Sequence, residues 1–367
     1  MSDTLSLQDA LQLSRPLSVG IMLKPVGASC NLSCSYCYYR EAPRGVMSRD
    51  LMEKTIREAM EVNEGRDVVF NWHGGEPLLA GLDFFREAVR LQKEYSGSRH
   101  ISNSIQTGGI LLTPEWASFL RDEDFLVGIS IDGHASIHDK FRRDVHGAGT
   151  LDRVLRGIAL LSGAGAQFNT LTTINAASRG NGASVYRFLK SIGSRYMQFL
   201  PIADPGRPEN IDAEGFGDFI CEVYDEWLRE DVGRVFVNLF EATIAGWCGL
   251  PKGLCTSCET CGGSITVDYN GDLYACDHFK GKEHLLGNLN KVSLREVVLS
   301  KAYFEFGLQK RETLPLECMR CRYRFACTGE CPAHRQSGKN LLCDGYKRFF
   351  SHSEPSMLRL RDILMSD

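Results

Sequence analysis

The residues best able to do chemistry in this sequence are cysteines. Cys30, Cys34 and Cys37 fall within eight positions, in the run GASCNLSCSYCY, with the spacing C-x3-C-x2-C. Structural zinc takes four protein ligands, and no fourth Cys or His lies close in sequence. A [4Fe–4S] cluster also takes four ligands. With only three thiolates, one iron would stay open to a small molecule. None of the fourteen cysteines falls between Cys37 and Cys221, and the other eleven lie between Cys221 and Cys343. Such density in a chain this long argues for metal over disulfides, in two separate regions.

The second region has its own order. Cys261-x9-Gly271-x4-Cys276 is followed by Cys318-x2-Cys321-x5-Cys327-x3-Cys331 and then by Cys343. Seven cysteines are one short of two four-ligand sites, and Cys255 upstream closes the count. The short spacings alone also suit a pair of zinc ribbons in a binding protein without catalysis. Cys221, Cys248 and Cys258 are left over and read as small buried hydrophobes, with Cys258 close enough to compete as a ligand.

These loops need a scaffold, and the first two hundred residues supply one. β-Branched runs at Val19–Pro25, Asp67–Trp72, Ile101–Thr107, Leu126–Asp132, Phe168–Ile174 and Tyr196–Pro201 read as strands. Apolar residues at helical spacing mark Ser48–Val62, Leu82–Tyr95, Thr113–Asp122, Thr150–Leu161 and Ala183–Ile192 between them. Six strands alternating with five helices imply a parallel α/β sheet, either doubly wound or an incomplete barrel. In such sheets chemistry sits at the C-terminal strand ends. The cysteine loop follows strand one, Gly74-Gly-Glu-Pro77 follows strand two, Gln106-Thr-Gly-Gly109 ends strand three and Ser130-Ile-Asp-Gly133 ends strand four. One helix is expected at Ala213–Arg229, and the domain boundary is placed near 240.

Bulk properties exclude several classes. The 367 residues carry a net charge of -4, with 42 basic against 46 acidic side chains and no basic block, so nothing favours nucleic acid. Apolar runs are too short to span a membrane. The N-terminal MSDTLSLQDALQLSRPLS lacks the pattern of a secretion signal, which gives a cytoplasmic expectation.

The C-x3-C-x2-C run with Tyr36 before its last Cys resembles the signature of radical S-adenosylmethionine (SAM) enzymes. Gly74-Gly75-Glu76-Pro77 resembles that family's glycine-rich motif, and the later cysteines resemble the seven-cysteine SPASM domain. The resemblance implies a partial (β/α)6 barrel over 19–240, after an extension at 1–18. A small SPASM domain with two auxiliary [4Fe–4S] clusters would fill 241–345, and a C-terminal helix 346–367. It implies that Cys255, Cys261, Cys276 and Cys331 ligate one auxiliary cluster, and Cys318, Cys321, Cys327 and Cys343 the other. Within the SPASM group the sequence is most similar to anaerobic sulfatase-maturating enzymes, which oxidise a Cys or Ser to formylglycine. The segments GGEPLLAGLDFF, NSIQTGG, FLVGISIDG, IHDKFRRD, MQFL and CDHF carry that likeness.

By resemblance, Tyr36, Gly74, Gly75, Glu76, Gln106, Ser130, Arg142 and Met197 contact SAM, with Arg143 the neighbouring option to Arg142. Tyr39 and His73 face substrate, and Asp277 is the base that deprotonates it, a role suited to surroundings that raise its pKa. Expected partners are a sulfatase or other peptide and a flavodoxin- or ferredoxin-type electron donor. His73 stands where these enzymes usually carry Gln, and Gly108 where they carry Asn, which bears on the substrate. A peptide maturase forming thioether or carbon–carbon crosslinks is the alternative on the same scaffold. Replacing Cys34 with Ala is expected to abolish SAM cleavage while auxiliary iron persists, checked by anaerobic iron assay beside 5′-deoxyadenosine quantification.

Overall fold

The computed structural model describes residues 19–204 and 206–366, so the expected extension at 1–18 lies outside the described residues. Strands occur in chain order at β1 (Gly20–Lys24), β2 (Val68–Trp72), β3 (Ile101–Thr107), β4 (Phe125–Ser130), β5 (Phe168–Ile174) and β6 (Tyr196–Pro201). They continue with β7 (Phe236–Val237), β8 (Ser264–Asp268), β9 (Asp272–Tyr274) and β10 (Leu285–Asn288). The chain forms two compact units. One holds the residues up to Ser29, Glu41–Ile105 and Cys261–Gln309; the other holds Cys30–Arg40, Gln106–Thr260 and Lys310–Asp367.

In the first unit β8, β1, β2 and the start of β3 lie parallel and side by side, with β9 and β10 added antiparallel beyond β8. The β1–β8 register sets Gly20 opposite Ser264 and Lys24 opposite Asp268. Helix Arg49–Val62 starts where Ser48 accepts a hydrogen bond from Leu51 N, an N-cap of the expected kind. Its buried Glu58 accepts from Leu294 N at 2.6 Å, tying this helix to the segment after β10. Trp72, Phe70 and Phe85 form the apolar core here, and Asn103 satisfies both Trp72 Nε1 and Gln92 Nε2. Burying an aromatic of this size stabilises by about 2–3 kcal/mol.

In the second unit β4, β5, β6 and β7 are parallel neighbours. Thr113 caps helix Pro114–Asp122, and Asp212 caps helix Ala213–Glu230 through Gly215 N. The C-terminal helix runs from Cys343 to Leu364, beginning three residues before the expected 346. It packs on Ala213–Glu230, where Phe216 meets Tyr346 at 4.6 Å and Tyr224 hydroxyl bonds Ser356 Oγ at 2.7 Å. Gly217 and Gly345 permit this approach, since a methyl group on either would meet the backbone of the other.

Several features depart from the sequence reading, which placed none of the strands β7–β10. Helix Ala135–Phe141 is only seven residues long, too short for periodicity to reveal, and helix Asn238–Trp247 follows β7 across the expected domain boundary near 240. The cysteine-rich stretch is divided between the two units, Cys261 and Cys276 in the first, Cys255 and the cysteines after Lys310 in the second.

Candidate active site

The first cysteine loop belongs to the second unit, where backbone bonds hold it: Ser33 N donates to Arg143 O at 2.8 Å and Ser35 N to Phe141 O at 3.2 Å. Tyr36, between Cys34 and Cys37, donates its hydroxyl to Asp132 Oδ2 at 2.5 Å. Asp132 is wholly buried just past β4. Its Oδ1 accepts from Thr173 N at 2.9 Å and lies 3.0 Å from Arg142 Nε. Arg142 also donates Nη2–H to Thr173 Oγ1 at 3.1 Å and sits 5.4 Å over the Tyr36 ring. Burial, opposed by Arg142 and reinforced by Asp132, pushes the Tyr36 phenol well above its ordinary value. Burial likewise raises the Cys34 thiol, against the pull of Arg142.

This geometry separates the two neighbouring arginines. Arg143 is exposed and turns back onto the carbonyls of Asp139 and Gly147, while Arg142 points inward to Asp132. The sequence reading missed Asp132, although ISIDG places it directly after Ile131 at the end of strand four. It also missed His138. Asp132 N donates to His138 Nδ1 at 3.2 Å, so Nε2 carries the proton toward Thr150 Oγ1 at 3.0 Å. Thr150 in turn donates to Arg142 O at 2.9 Å, closing a ring of contacts around the arginine.

Gln106 and Ser130 also meet, Nε2 to Oγ at 3.4 Å. Met197 is a buried residue of β6, opposite Thr170. Tyr39 is buried at 2% exposure, so it lies inside the fold rather than on an open face.

In the first unit, Gly75 N donates to Gly27 O and Glu76 N to Ser29 O, both at 2.8 Å, gripping the chain immediately before Cys30. Gly74 has φ +126, a conformation for glycine. A side chain on Gly75 would be driven onto the Ser29 carbonyl. Buried Glu76 accepts from Leu78 N, capping the turn Pro77–Ala80. His73 Nδ1 accepts from Gly74 N at 2.6 Å. Asp277 lies in a turn after β9, with Lys24 Nζ 3.4 Å from its Oδ2. The site thus sets a cation beside this carboxylate, where the sequence reading looked for surroundings that disfavour its charge.

Around the later cysteines of the second unit, buried Lys310 donates to Cys255 O and Thr256 O at 2.7 and 2.9 Å. Thr328, Gly329 and Glu330, between Cys327 and Cys331, all have positive φ, which is unusual for a β-branched threonine. Arg335 holds that turn, donating to the carbonyls of Gly329, Glu330 and Lys310. The buried Glu330 carboxylate accepts from Asn340 at 2.5 Å and pairs with His334 at 3.0 Å. Burial pushes Cys327 up to about 12.

The donor chemistry fits iron–sulfur clusters. All fourteen cysteines are free thiols, and the eleven expected ligands are exposed or partly exposed. Of the three left over, only Cys221 is the buried hydrophobe expected; Cys248 and Cys258 are partly exposed. Among the described residues no three His, Cys, Asp or Glu side chains are gathered as a single-ion site. Cys30, Cys34 and Cys37 would hold one cluster, and the other eight would hold the auxiliary clusters.

Comparison with known proteins defines the class. The radical SAM superfamily matches residues 25–176, and SPASM, an iron–sulfur cluster-binding domain, matches 255–322. The chain is a radical SAM enzyme with a SPASM domain, an α/β fold that uses SAM and [4Fe–4S] clusters. It is 40% identical, over 96% of its own length and 93% of the relative's, to a serine-type anaerobic sulfatase-maturating enzyme of Bacteroides thetaiotaomicron. It is 29% identical, over 94% and 98%, to a cysteine-type enzyme of Clostridium perfringens. A solved structure of native anSMEcpe with bound AdoMet and Cp18Cys peptide superposes with a TM-score of 0.88 at 27% identity, covering 94% of this chain and 99% of that one. The chain belongs to the family of anaerobic sulfatase-maturating enzymes.

Burial lowers His138 to about 4 from an ordinary 6.5, so the unfolded chain takes up this proton first. Its contribution is therefore complete above about pH 6.5 and is lost as the pH falls toward 4, on the order of 3 kcal/mol. Anaerobic denaturant titrations across that range are expected to show this slope, reduced in His138→Gln.

Proposed function

We propose that this protein oxidises a serine of a sulfatase to formylglycine. The supporting observation is the serine-type relative at 40% identity against the cysteine-type relative at 29%, each over nearly the whole chain. When bound, SAM and the [4Fe–4S] clusters supply a 5′-deoxyadenosyl radical that takes a Cβ hydrogen, and an acceptor for the second electron.

The side chains do the rest. Cys30, Cys34 and Cys37, all free thiols, would hold the SAM-binding cluster. Cys255, Cys261, Cys276 and Cys331 would hold one auxiliary cluster, and Cys318, Cys321, Cys327 and Cys343 the second. Arg142, aimed by Asp132, would meet the SAM carboxylate, for which a guanidinium fork is suited. Gly74, Gly75 and Glu76 would receive its amino group, and Tyr36, Gln106, Ser130 and Met197 would line the remainder. Asp277 removes the hydroxyl proton as the Cβ hydrogen leaves, and His73 stands toward the peptide, while Tyr39, buried in the fold, supports the site from behind. The division into a barrel over 19–240, a SPASM domain over 241–345 and a terminal helix over 346–367 describes the functional parts, with the compact units cutting across them. Among the described residues no helix is long and apolar enough to cross a membrane. Oxygen-sensitive clusters suit a reducing cytoplasm, with a flavodoxin- or ferredoxin-type donor.

Anaerobic incubation with matched Ser and Cys sulfatase peptides tests this. Fragment spectra are expected to place a loss of two hydrogens on the serine, with the Ser peptide turned over at least as fast as the Cys peptide. A product linking two residues would instead mark a crosslinking maturase. Asp277→Asn is expected to keep SAM cleavage and lose formylglycine by about 10²-fold or more; wild-type formylglycine from this variant would refute the base assignment.

A further inference from the structure

Lys24 ends β1, is fully buried, and places Nζ 3.4 Å from Asp277 Oδ2 across 253 residues of sequence. Burying an ammonium is costly unless anions meet it, so packing alone does not account for a lysine at this strand end. The register explains its company. Lys24 stands opposite Asp268, and Asp268 Oδ2 accepts from Lys280 Nζ at 2.9 Å. All four side chains are at most 13% exposed, and their charges balance.

Asp277 itself needs a holder. It lies in the turn after Cys276, where Phe279 N reaches Cys276 O at a long 3.3 Å. A carboxylate on such a turn keeps one direction only if something rigid grips it. β1 is paired on both edges, to β2 and to β8, which makes it as fixed a platform as the unit offers.

We propose that Lys24 is a positioning residue for the oxidation, holding the Asp277 carboxylate where the substrate proton is taken. The proposal rests on the reading of Asp277 as the base. Lys24 acts through Asp277, and displacing a catalytic group by about 1 Å can cost 10²-fold. Without the ammonium, hydrogen abstraction continues while proton removal falls out of step. The substrate radical then returns to serine by taking one electron from the electron donor and one proton from water, so SAM is spent without formylglycine.

The test uses full-length, anaerobically reconstituted protein with Lys24→Met, Lys24→Gln, Asp277→Asn and Lys24→Met/Asp277→Asn. Formylglycine, 5′-deoxyadenosine, peptide KM, iron content and amide exchange over 276–280 are followed. For Lys24→Met, formylglycine per 5′-deoxyadenosine is expected to fall about tenfold or more, with KM within about threefold. Exchange in the turn is expected to quicken. Lys24→Gln, which keeps a donor, should fall between wild type and Met, and the double variant should lose no more than Asp277→Asn alone. If Lys24→Met does not load iron, Lys24→Gln decides.

Unchanged coupling in the lysine variants, or a parallel fall of both products at full iron content, overturns the assignment. If Asp277→Asn itself leaves coupling intact, the base reading fails. If Asp277→Asn uncouples and the lysine variants do not, only the role of Lys24 falls.

Discussion

The parallel pairing of β1 with β8 is the constraint on which the first unit depends. It joins the start of the described chain to a segment some 240 positions later, and parallel neighbours cannot be made by a hairpin. Because the register is fixed residue by residue, Lys24 must face Asp268, and the turn after β9 delivers Asp277 to the same strand ends. A slip of one residue would turn Lys24 to the opposite face of the sheet.

The second unit solves a similar problem with one buried carboxylate. Asp132 accepts from Tyr36 and from Thr173 N and lies against Arg142, so a loop, a strand end and a cation share one anchor. His138, kept neutral by burial, adds a donor and an acceptor without adding charge to this anchor. An isolated buried carboxylate would be costly, and one that meets an arginine and directed donors is tolerable. Each element so joined carries a residue assigned to SAM binding or stands beside one.

Much of this was legible in the sequence. β3, β5 and β6 fall at the expected residues, since β-branched runs between turn residues leave few alternatives. The cysteine spacings and GGEP are local signals, and their meaning survives folding. Lys24 and Asp132 were invisible for the opposite reason. A lysine after IML and an aspartate before glycine are ordinary until register and burial show what they face. The departure at β8–β10 has the same origin, because Ser264–Asp268 looks like any short apolar run and its partner is β1. Tyr39 shows the converse, a site aromatic by resemblance that the fold buries.

The grip of Gly75 N on Gly27 O and of Glu76 N on Ser29 O governs which lengths of chain evolution can try. Two bonds, two residues apart on one segment and adjacent on the other, fix how many positions lie between them. An insertion or deletion from 27 to 29 would break one bond and move the origin of the cysteine loop. The approach to Cys30 is therefore held to a count of residues, and the cysteine loop inherits its starting point from the glycine-rich turn.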